Sequence, residues 1–536
     1  MLETVVSPMH TTPTILASLV LVDWLVLAAY FGVLAVTGWI LARREQRNAR
    51  DYFLASRSMP VWAAAVSLMA TALSGATFIG GPEQSFRGNL TFLVFSFAQI
   101  IGILIVAAFF IPAFYRNDVV TVYGLLERRF GAVSKQAASW MFMIGRVFAS
   151  GARLFIAALA ASVVLFGETL PWQISVAIAA MVVVGIAYTL MGGIAAVVWS
   201  DVIQAVVFVT AAIAALVVLA GLVPADFDSI LAALREPAAG KPSKLTVIDP
   251  GVGEFGSGHT FSVMTALTGL VILSIGSFGT DHDLAQRLLT CRSAKRGAQA
   301  AILGIVLAVP VTALFLVVGL GLWVFYQRAD LMGGTVAPLD DSRTVFLNFI
   351  MDHMPTGMGG LMMAGLFAAG LSSFNSALNA MASTFVSDFY QPRRPGRDPL
   401  HYLRVGRIAV CAWGVVLGAF AVASIFIQKA SGTTLIDYAL GVMVFAYAGL
   451  VAVYLAAIFT RRGNDRSVIA ALVVGFVCVA LLKWQPWATA DTRLDLAFPW
   501  QLLIATTLAF GVCCLGRADA AREQESATGR ERDGKI

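Results

Sequence analysis

Charged residues are scarce in this sequence. Asp, Glu, Lys and Arg make up 13% of its 536 residues, whereas 59% of the residues are hydrophobic. Soluble globular domains contain roughly 25% charged residues, so the composition excludes an ordinary soluble protein. Most of the folded surface must therefore contact lipid rather than water.

Motifs of catalysis and metal binding are also missing. The five histidines are scattered, and the five cysteines have no metal-site or disulfide spacing. GVGEFG (251–256) has the spacing of a dinucleotide-binding loop, but it follows Pro250 without a strand–turn–helix pattern. GRERDGKI (529–536) imitates a phosphate-binding loop, but Ile536 replaces the required Ser or Thr. We therefore predict that the protein is not an enzyme.

Long apolar runs fill most of the chain. Each run is close to the ~20 residues that a helix needs to cross a hydrocarbon core of ~30 Å. Because open sheets and loops leave backbone groups unsatisfied in lipid, the runs predict an all-α polytopic membrane protein. The thirteen candidate spans lie near 15–41, 61–82, 90–116, 135–166, 170–191, 194–220, 261–283, 296–326, 357–388, 402–428, 433–459, 466–483 and 497–516.

Basic residues predict the orientation of these spans. With residue 1 outside, 26 of the 37 Lys and Arg fall in the inner loops and the tail, and nine fall in the outer segments. Cytoplasmic loops carry such an excess, so we expect a cytoplasmic-membrane protein with its N-terminus outside and its C-terminus in the cytoplasm. The net charge of +6 then reflects topology and not nucleic-acid binding.

Hydroxyl and amide side chains interrupt the ninth span, FAAGLSSFNSALNAMASTFVSDFY (367–390). Ser372, Ser373 and Ser376 recur at helical spacing with Ala369, so they share one face of the helix. Such a small, oxygen-rich face can serve close helix packing, but it can also bind a cation. For this stretch alone, the two interpretations are equally good.

The second span contains a comparable stretch, SLMATALSGATFIGGPEQSFRG (67–88). Thr71, Ser74 and Gly75 lie in mid-span, and Pro82 follows. A helix that loosens here frees backbone carbonyls, and discontinuous helices form the ion and substrate sites of secondary transporters. Hydroxyls and free carbonyls supply the oxygen ligands that a hard cation such as sodium prefers.

Asp201 is a carboxylate inside the sixth span, in GGIAAVVWSDVIQAVVF (192–208). It follows Ile194 by seven residues, which places it roughly 10 Å into the span at 1.5 Å per residue. An intramembrane carboxylate is by default a functional-site hypothesis. The alternative is a structural ion pair with Arg146 or Arg153 of the fourth span, two residues that could instead meet an anionic substrate.

Six stretches together resemble the solute:sodium symporter family, which contains sodium-coupled carriers of sugars, proline, pantothenate and iodide. They occur in the family's order, and the resemblance covers about residues 15–460. The six are DYFLASRSMP (51–60), SLMATALSGATFIG (67–80), IPAFYRNDVVTVYGLLERRFG (111–131), GGIAAVVWSDVIQ (192–204), GTDHDLAQRLLTC (279–291) and AAGLSSFNSALNAMASTFVSDFY (368–390).

The resemblance implies a LeuT-type fold with two inverted repeats of five helices. No repeat is visible in the sequence itself. The implied segments are an N-terminal segment with one leading helix (1–60), the first repeat (61–220), an extracytoplasmic loop (221–260), the second repeat (261–459), two trailing helices (460–516) and a cytoplasmic tail (517–536).

The resemblance also implies a sodium site between the second and ninth spans. Carried over residue by residue, its ligands are the carbonyls of Ala70, Leu73 and Ala369 and the hydroxyls of Ser372 and Ser373. Sodium would therefore be the coupling ion.

A second sodium site is conceivable one turn further along the ninth span. Asp201 matches the acidic residue that the family places near the first site. Together with Ser372, Asn375 and Ser376 it could form an oxygen cage. Asn375 and Ser376 could instead bond neighbouring helices.

The solute is expected between the broken second span, the third span and the seventh span. Thr77 and Ile436 stand where a hexose carrier of the family has glutamines, so the resemblance disfavours a hexose. The two mid-span arginines favour a carboxylate-bearing solute such as a sugar acid. The candidate solute contacts are Thr77, Ser96, Gln99, Ser274, Ser277, Phe278, Arg146 and Arg153.

These observations predict a sodium-coupled symporter that imports a small polar organic solute across the lipid bilayer. One alternative is proton coupling through Asp201. Another is a membrane sensor that binds solute without moving it, although the short charged tail offers no output domain. A channel is disfavoured, because no ring of charges or filter-like repeat occurs.

Overall fold

The chain forms a bundle of membrane-length helices. The computed structural model describes residues 20–42, 54–191, 193–237, 242–334, 339, 342–489 and 492–517, and all regular structure within these ranges is helical. Within these described ranges, eleven helices are long and apolar enough to cross a membrane, and each of two bent helix pairs qualifies as one further span, giving thirteen. The predicted all-α polytopic fold is therefore confirmed.

We number the spans in chain order. They are α1 (Leu21–Ala42), α2a (Val61–Ala72) with α2b (Gly75–Arg87), α3 (Leu93–Arg116), α4 (Ala132–Phe166), α5 (Pro171–Met191), α6 (Ile194–Leu222), α7a (Val263–Thr280) with α7b (His282–Leu289), α8 (Ala294–Gln327), α9 (Met358–Arg393), α10 (Pro399–Ser431), α11a (Leu435–Gly441) with α11b (Val444–Phe459), α12 (Asp465–Trp484) and α13 (Phe498–Leu515). The short helices Gly124–Arg129, Phe227–Arg235 and Val345–His353 lie between spans.

The second span breaks where its sequence loses helix-forming apolar residues. Leu73 is extended, with φ −86° and ψ 114°, and α2b leaves the direction of α2a by 57°. Ser74 then caps α2b by accepting a hydrogen bond from the backbone N–H of Ala76 at 3.3 Å. The predicted break around residues 70–75 is confirmed, and a serine that seemed out of place in a membrane helix begins a new one.

The seventh span breaks in the same way. Asp281 has φ −87° and ψ 116°, nearly the dihedral angles of Leu73, and it caps α7b by accepting a hydrogen bond from Asp283 N at 3.0 Å. The first helix of each predicted repeat is thus broken by extended backbone and restarted by a polar cap: Leu73 and Ser74 are extended in α2, and Asp281 is both extended and the cap in α7. The backbone shows an internal similarity that the residues do not.

α4 and α9 form the centre of the bundle. Their most apolar segments are 89% buried, whereas those of the peripheral helices α1 and α12 are 28% buried. The trailing helix α12 packs against α11b through two glycines, because a Cβ added to Gly475 would lie 2.5 Å from the backbone nitrogen of Gly449. Small residues at such crossings let membrane helices approach closely.

The substitution Gly475→Val is expected to separate α11b from α12. The new side chain would meet backbone atoms of Gly449 and Ala448, which cannot rotate away. Overpacking of this kind costs ~1–3 kcal/mol, so thermal denaturation of the detergent-solubilised variant should have a midpoint several degrees below that of the wild type. Gly511→Val is the matched control, since nothing lies within 4 Å of a Cβ at Gly511. Equal midpoints for the two variants would contradict the packing.

Candidate functional site

The break in α2 lies against the middle of α9. A small cavity between α2a, α6 and α9 is lined by Ala70, Leu73, Ala369 and Ser372, four of the five residues predicted to bind sodium. Ser373, the fifth, does not line this cavity, and its buried hydroxyl has no hydrogen-bond partner among the described residues. A helix end leaves its last carbonyls without intrahelical partners. These carbonyls and the two hydroxyls are oxygen donors suited to sodium, and their role as ligands stays a prediction.

Asp201 lies beside this cavity and joins four segments of the chain. Its Oδ1 accepts a hydrogen bond from Ser372 Oγ of α9 at 2.5 Å. Its Oδ2 accepts hydrogen bonds from Ser67 Oγ of α2a at 2.5 Å and from Arg287 Nη2 of α7b at 3.0 Å. The carboxylate is fully buried. Asp201 therefore couples its own helix, α6, to the broken helices of both repeats.

Arg287 continues this network away from Asp201. Its Nη1 contacts Asp283 Oδ1 at 3.1 Å, and its Nη2 donates to Ser376 Oγ at 2.7 Å. Asp283 in turn pairs with Arg146 Nη1 at 3.1 Å, and Arg146 Nη2 pairs with Asp281. Acids and arginines thus alternate from Asp201 to Asp281. Such buried charges persist only where each meets an opposite one.

The structure corrects the predicted partner of Asp201. The sequence suggested Arg146 or Arg153, but the partner is Arg287, which sequence analysis counted only among the basic residues of the inner loops. α7b packs against α2a and α9, and this tertiary arrangement brings Arg287 to Asp201. A signal was available for Asp281 and Asp283, which lie within the predicted span 261–283, because an ionisable residue inside a span is by default a functional-site hypothesis. The functional candidates that sequence analysis missed are Arg287, Asp281, Asp283 and Tyr447, whose hydroxyl donates to Asp281 at 2.6 Å.

The four residues of the possible second sodium site are only partly assembled. Ser372 contacts Asp201, whereas Ser376 donates to Asp283 and accepts from Arg287. Asn375 directs its Oδ1 toward Gly185 of α5, where an added Cβ would lie 2.9 Å away. The guanidinium of Arg287 contacts both Asp201 and Ser376, two of the four residues of this site. The alternative that Asn375 and Ser376 bond neighbouring helices holds for Ser376, whereas the Oδ1 of Asn375 has no hydrogen-bond partner among the described residues. The second site stays a prediction.

A central cavity lies on the other side of the α2 break. Thr77, Ser96, Gln99 and Arg153, four of the eight predicted solute contacts, line it. Ile436 of α11a also lines it, so both positions that argued against a hexose face this cavity. Sequence analysis missed the remaining walls, which include Phe92, Phe95, Thr312, Ala439 and Leu440.

The other four predicted solute contacts do not line the central cavity. Ser274 Oγ donates to Leu270 O at 2.8 Å and Ser277 Oγ donates to Leu273 O at 3.0 Å, so both hydroxyls bond to their own helix. A serine in a helix can reach the carbonyl one turn back, and the roles of Ser274 and Ser277 as solute contacts stay predictions. The remaining two residues are Phe278, buried in the core, and Arg146, held in its ion pairs.

Arg153 differs from Arg146 although the two lie seven residues apart on one helix. Arg153 lines the cavity and is buried, and its Nη1 has no hydrogen-bond partner among the described residues. Its one contact of hydrogen-bond type there is from Nη2 to the thioether sulfur of Met443, at 3.7 Å. A guanidinium in this position is available to an anion in the cavity.

Leu73 connects the two cavities. It lines both the small cavity beside Asp201 and the central cavity. Its extended backbone is the break between α2a and α2b. An ion in the first cavity and a solute in the second would therefore contact opposite sides of the same unwound residue.

A known protein family and several characterised proteins are similar to this chain. The chain matches the Sodium:solute symporter family over residues 52–475. It is 29% identical to the sodium/sialic acid symporter NanT of Aliivibrio fischeri over 89% of each chain. It is 26% identical to the sodium/sialic acid symporter SiaT of Proteus mirabilis, over 86% of this chain and 90% of that one.

A solved structure has the same fold. A Na⁺-coupled sialic acid symporter, in a substrate-bound outward-open state, matches with a TM-score of 0.78 at 24% identity, covering 93% of this chain and 99% of that chain. This likeness confirms the predicted LeuT-type fold.

The ion pair at Arg287 gives a test of the buried network. Arg287→Gln leaves Asp201 and Asp283 without their shared cation, and breaking a buried pair in this way costs ~3–5 kcal/mol. The midpoint of thermal denaturation in detergent should fall well below that of Arg292→Gln, the matched control at an exposed site. Combining Arg287→Gln with Asp201→Asn should recover part of the loss. Equal midpoints for Arg287→Gln and Arg292→Gln would contradict the structural role.

Proposed function

Because the chain belongs to the sodium:solute symporter family, we propose that it imports an anionic solute, a sugar acid or another small carboxylate, together with sodium. Its relatives are sodium-coupled transporters, and sodium is its coupling ion. The finer assignment of solute and binding residues is the proposal. The observation that carries it is Arg153, a buried guanidinium that lines the central cavity without an acidic partner among the described residues.

A buried cation without a counter-ion is costly, so its retention requires a compensating partner for part of the transport cycle. A solute carboxylate supplies that partner, and arginine binds carboxylates in a two-pronged geometry. The other polar groups of the cavity suit a polyhydroxylated solute, since the amide of Gln99 and the hydroxyl of Ser96 can each donate and accept. Phe92 and Phe95 add apolar surface for a ring or an acyl group.

The relatives agree with this chemistry. Sialic acid, named as the solute of two of them, is a sugar acid and carries a carboxylate, hydroxyls and an acylated amine. We propose the same solute class for this chain. Arg153 would hold the carboxylate, and Thr77, Ser96 and Gln99 would bond the remaining polar groups.

Sodium would be coupled to the solute through the α2 break. In our proposal, sodium binds to Ala70, Leu73, Ala369, Ser372 and Ser373 and holds α2 against α9. This favours the conformation in which the central cavity binds solute well. Coupling requires such a difference in affinity, because an ion with equal affinity for both conformations does not change their relative populations. Rocking of one helix group against the other then exposes the site to each side in turn.

We place the chain in the cytoplasmic membrane with its N-terminus outside, as the distribution of basic residues predicts. Inward release is then favoured by low internal sodium and by the membrane potential. The potential contributes about 2.3 kcal/mol per elementary charge per 100 mV. Proton coupling through Asp201 is the alternative. It is less favoured because the carboxylate of Asp201 is already paired with Arg287 and bonded by two serines.

Uptake into proteoliposomes tests the coupling ion and the solute class together. A labelled panel of sugars, sugar acids, amino acids and carboxylates would be offered with an inward sodium gradient, with potassium instead, or with a pH gradient alone. We expect sodium-dependent accumulation of a sugar acid or carboxylate, lost in Ser372→Ala with Ser373→Ala. Ser383→Ala is the matched control, because that buried hydroxyl of α9 bonds only to Ala380 O among the described residues. Accumulation that follows pH and ignores sodium would move the coupling role to Asp201. Saturable binding without accumulation would indicate a sensor.

Substitution of Arg153 tests carboxylate recognition. Losing a hydrogen bond to a charged group typically costs ~1.5–3 kcal/mol, so Arg153→Gln should raise the KM for the acid about 10- to 100-fold. The KM for the neutral amide of the same solute should change much less. The KM of Arg153→Lys for the acid should lie between those of the wild type and of Arg153→Gln, because lysine keeps the charge but cannot form the two-pronged contact. Equal losses for acid and amide would show that Arg153 shapes the cavity without binding the carboxylate.

A further inference from the structure

A third cavity lies at the far end of α2b from the break. Its volume is about 390 Å³, within the range of small-molecule sites. The polar and aromatic side chains that line it are Phe86, Arg87, Asn89, Lys244, Trp323, Gln327 and Arg328. Among the described residues, none lines both this outer cavity and the central one. It is formed by the end of α2b, the loop after α6 and the end of α8.

Three cationic groups converge on this outer cavity, and no acidic side chain is among its described lining residues. The convergence is unusual because the predicted outer segments hold only nine of the 37 Lys and Arg. Lys244 Nζ donates to Phe86 O at 2.6 Å and lies 5.1 Å from the ring centroid of Trp323. Its ammonium is thereby fixed at one wall of the cavity.

The two arginines are oriented by acids that stand outside the lining. Arg328 bonds to both carboxylate oxygens of Asp330, at 2.8 and 2.6 Å, and Arg87 Nη1 is 3.6 Å from Glu83. The two-pronged contact restricts the guanidinium of Arg328, so this group loses less freedom when it binds an anion. Arg87 is held more loosely, since its side chain is 47% exposed.

The remaining side chains of the outer cavity indicate which class of anion it can bind. The indole of Trp323 offers a flat apolar face, and the carboxamides of Asn89 and Gln327 can bond hydroxyl groups. Cation, aromatic face and amide are the same combination that Arg153, Phe95 and Gln99 present in the central cavity. We propose that the outer cavity is a second binding site for the transported sugar acid or carboxylate. This inference rests on the proposed function.

Helix α2b connects the two sites physically. Ala76 and Thr77 near its beginning line the central cavity, and Phe86 and Arg87 at its end line the outer cavity. Lys244 also holds the end of this helix through the carbonyl of Phe86. An anion bound by Lys244 and Arg87 would therefore contact the end of the helix whose beginning borders the central site.

Equilibrium binding to the purified full chain tests the proposal. Labelled sialic acid and gluconate would be titrated, with sodium present, against protein in phosphatidylcholine nanodiscs. We expect two classes of site in the wild type, of which Arg153→Gln weakens one. Adding Arg87→Gln and Arg328→Gln to Arg153→Gln should weaken the other class by about tenfold or more, because charged hydrogen bonds are lost. Trp323→Leu, which removes no charge, should weaken that class too.

Lys429→Gln on the Arg153→Gln background is the matched control, since Lys429 is exposed and does not line the outer cavity. The outer site would be contradicted by a single class of site in the wild type, or by a second class whose affinity is unchanged in the Arg87→Gln and Arg328→Gln variant. Either result would not contradict the proposed solute class. Failure of both acids to bind the wild type overturns both proposals.

Adding phosphatidylglycerol tests a lipid headgroup as the source of the anion. If that lipid abolishes acid binding to the second class of site, and less of it co-purifies with the Arg87→Gln and Arg328→Gln variant, the outer cavity binds a lipid headgroup and not the solute.

Discussion

Inside a membrane protein, a charged side chain is tolerated only where an opposite charge or a set of dipoles meets it, and Arg287 meets such partners on three sides. Its guanidinium contacts Asp201 of α6, Asp283 of α7b, and serines of α2a and α9. No apolar side chain could hold these four segments in one defined arrangement, because apolar contacts lack direction. The place of the α2 break beside α9, and therefore of both cavities, depends on this cation.

The broken helices follow from the same constraint applied to the backbone. An unwound residue in lipid leaves its N–H and C=O groups without partners, so a break is possible only where protein, water or an ion surrounds it. Leu73 and Asp281 lie at such breaks and have nearly identical dihedral angles. Ser74 caps the helix that follows Leu73, whereas Asp281 itself caps α7b and also pairs with Arg146. Leu73 lines both the small cavity predicted to hold sodium and the central cavity that Arg153 lines.

Two arginines of α4 show that the pairing of a buried charge determines whether it can bind a ligand. Arg146 and Arg153 are chemically identical and both buried, yet Arg146 is matched by Asp281 and Asp283, whereas Arg153 meets a thioether. The first is part of the scaffold because its charge is already balanced. The second can bind an anion because the cavity supplies no competing acid among the described residues. The outer cavity differs from both cases, since Arg87 and Arg328 are paired with acids that do not line it and Lys244 contacts a backbone carbonyl and the ring of Trp323.

The sequence by itself determined the class of protein, the thirteen spans, the break in α2 and the residues beside it. These depend on local properties, namely the length of apolar runs and the presence of polar residues within them. It could not determine which charges pair, because Asp201 and Arg287 are 86 residues apart. It also could not determine which hydroxyls line the central cavity, and Ser274 and Ser277 instead donate to carbonyls of their own helix. Only the tertiary structure decided that Arg153 faces the central cavity and that Arg146 does not. That choice depends on where the acids lie, and the break in α7 places Asp281 and Asp283 against Arg146.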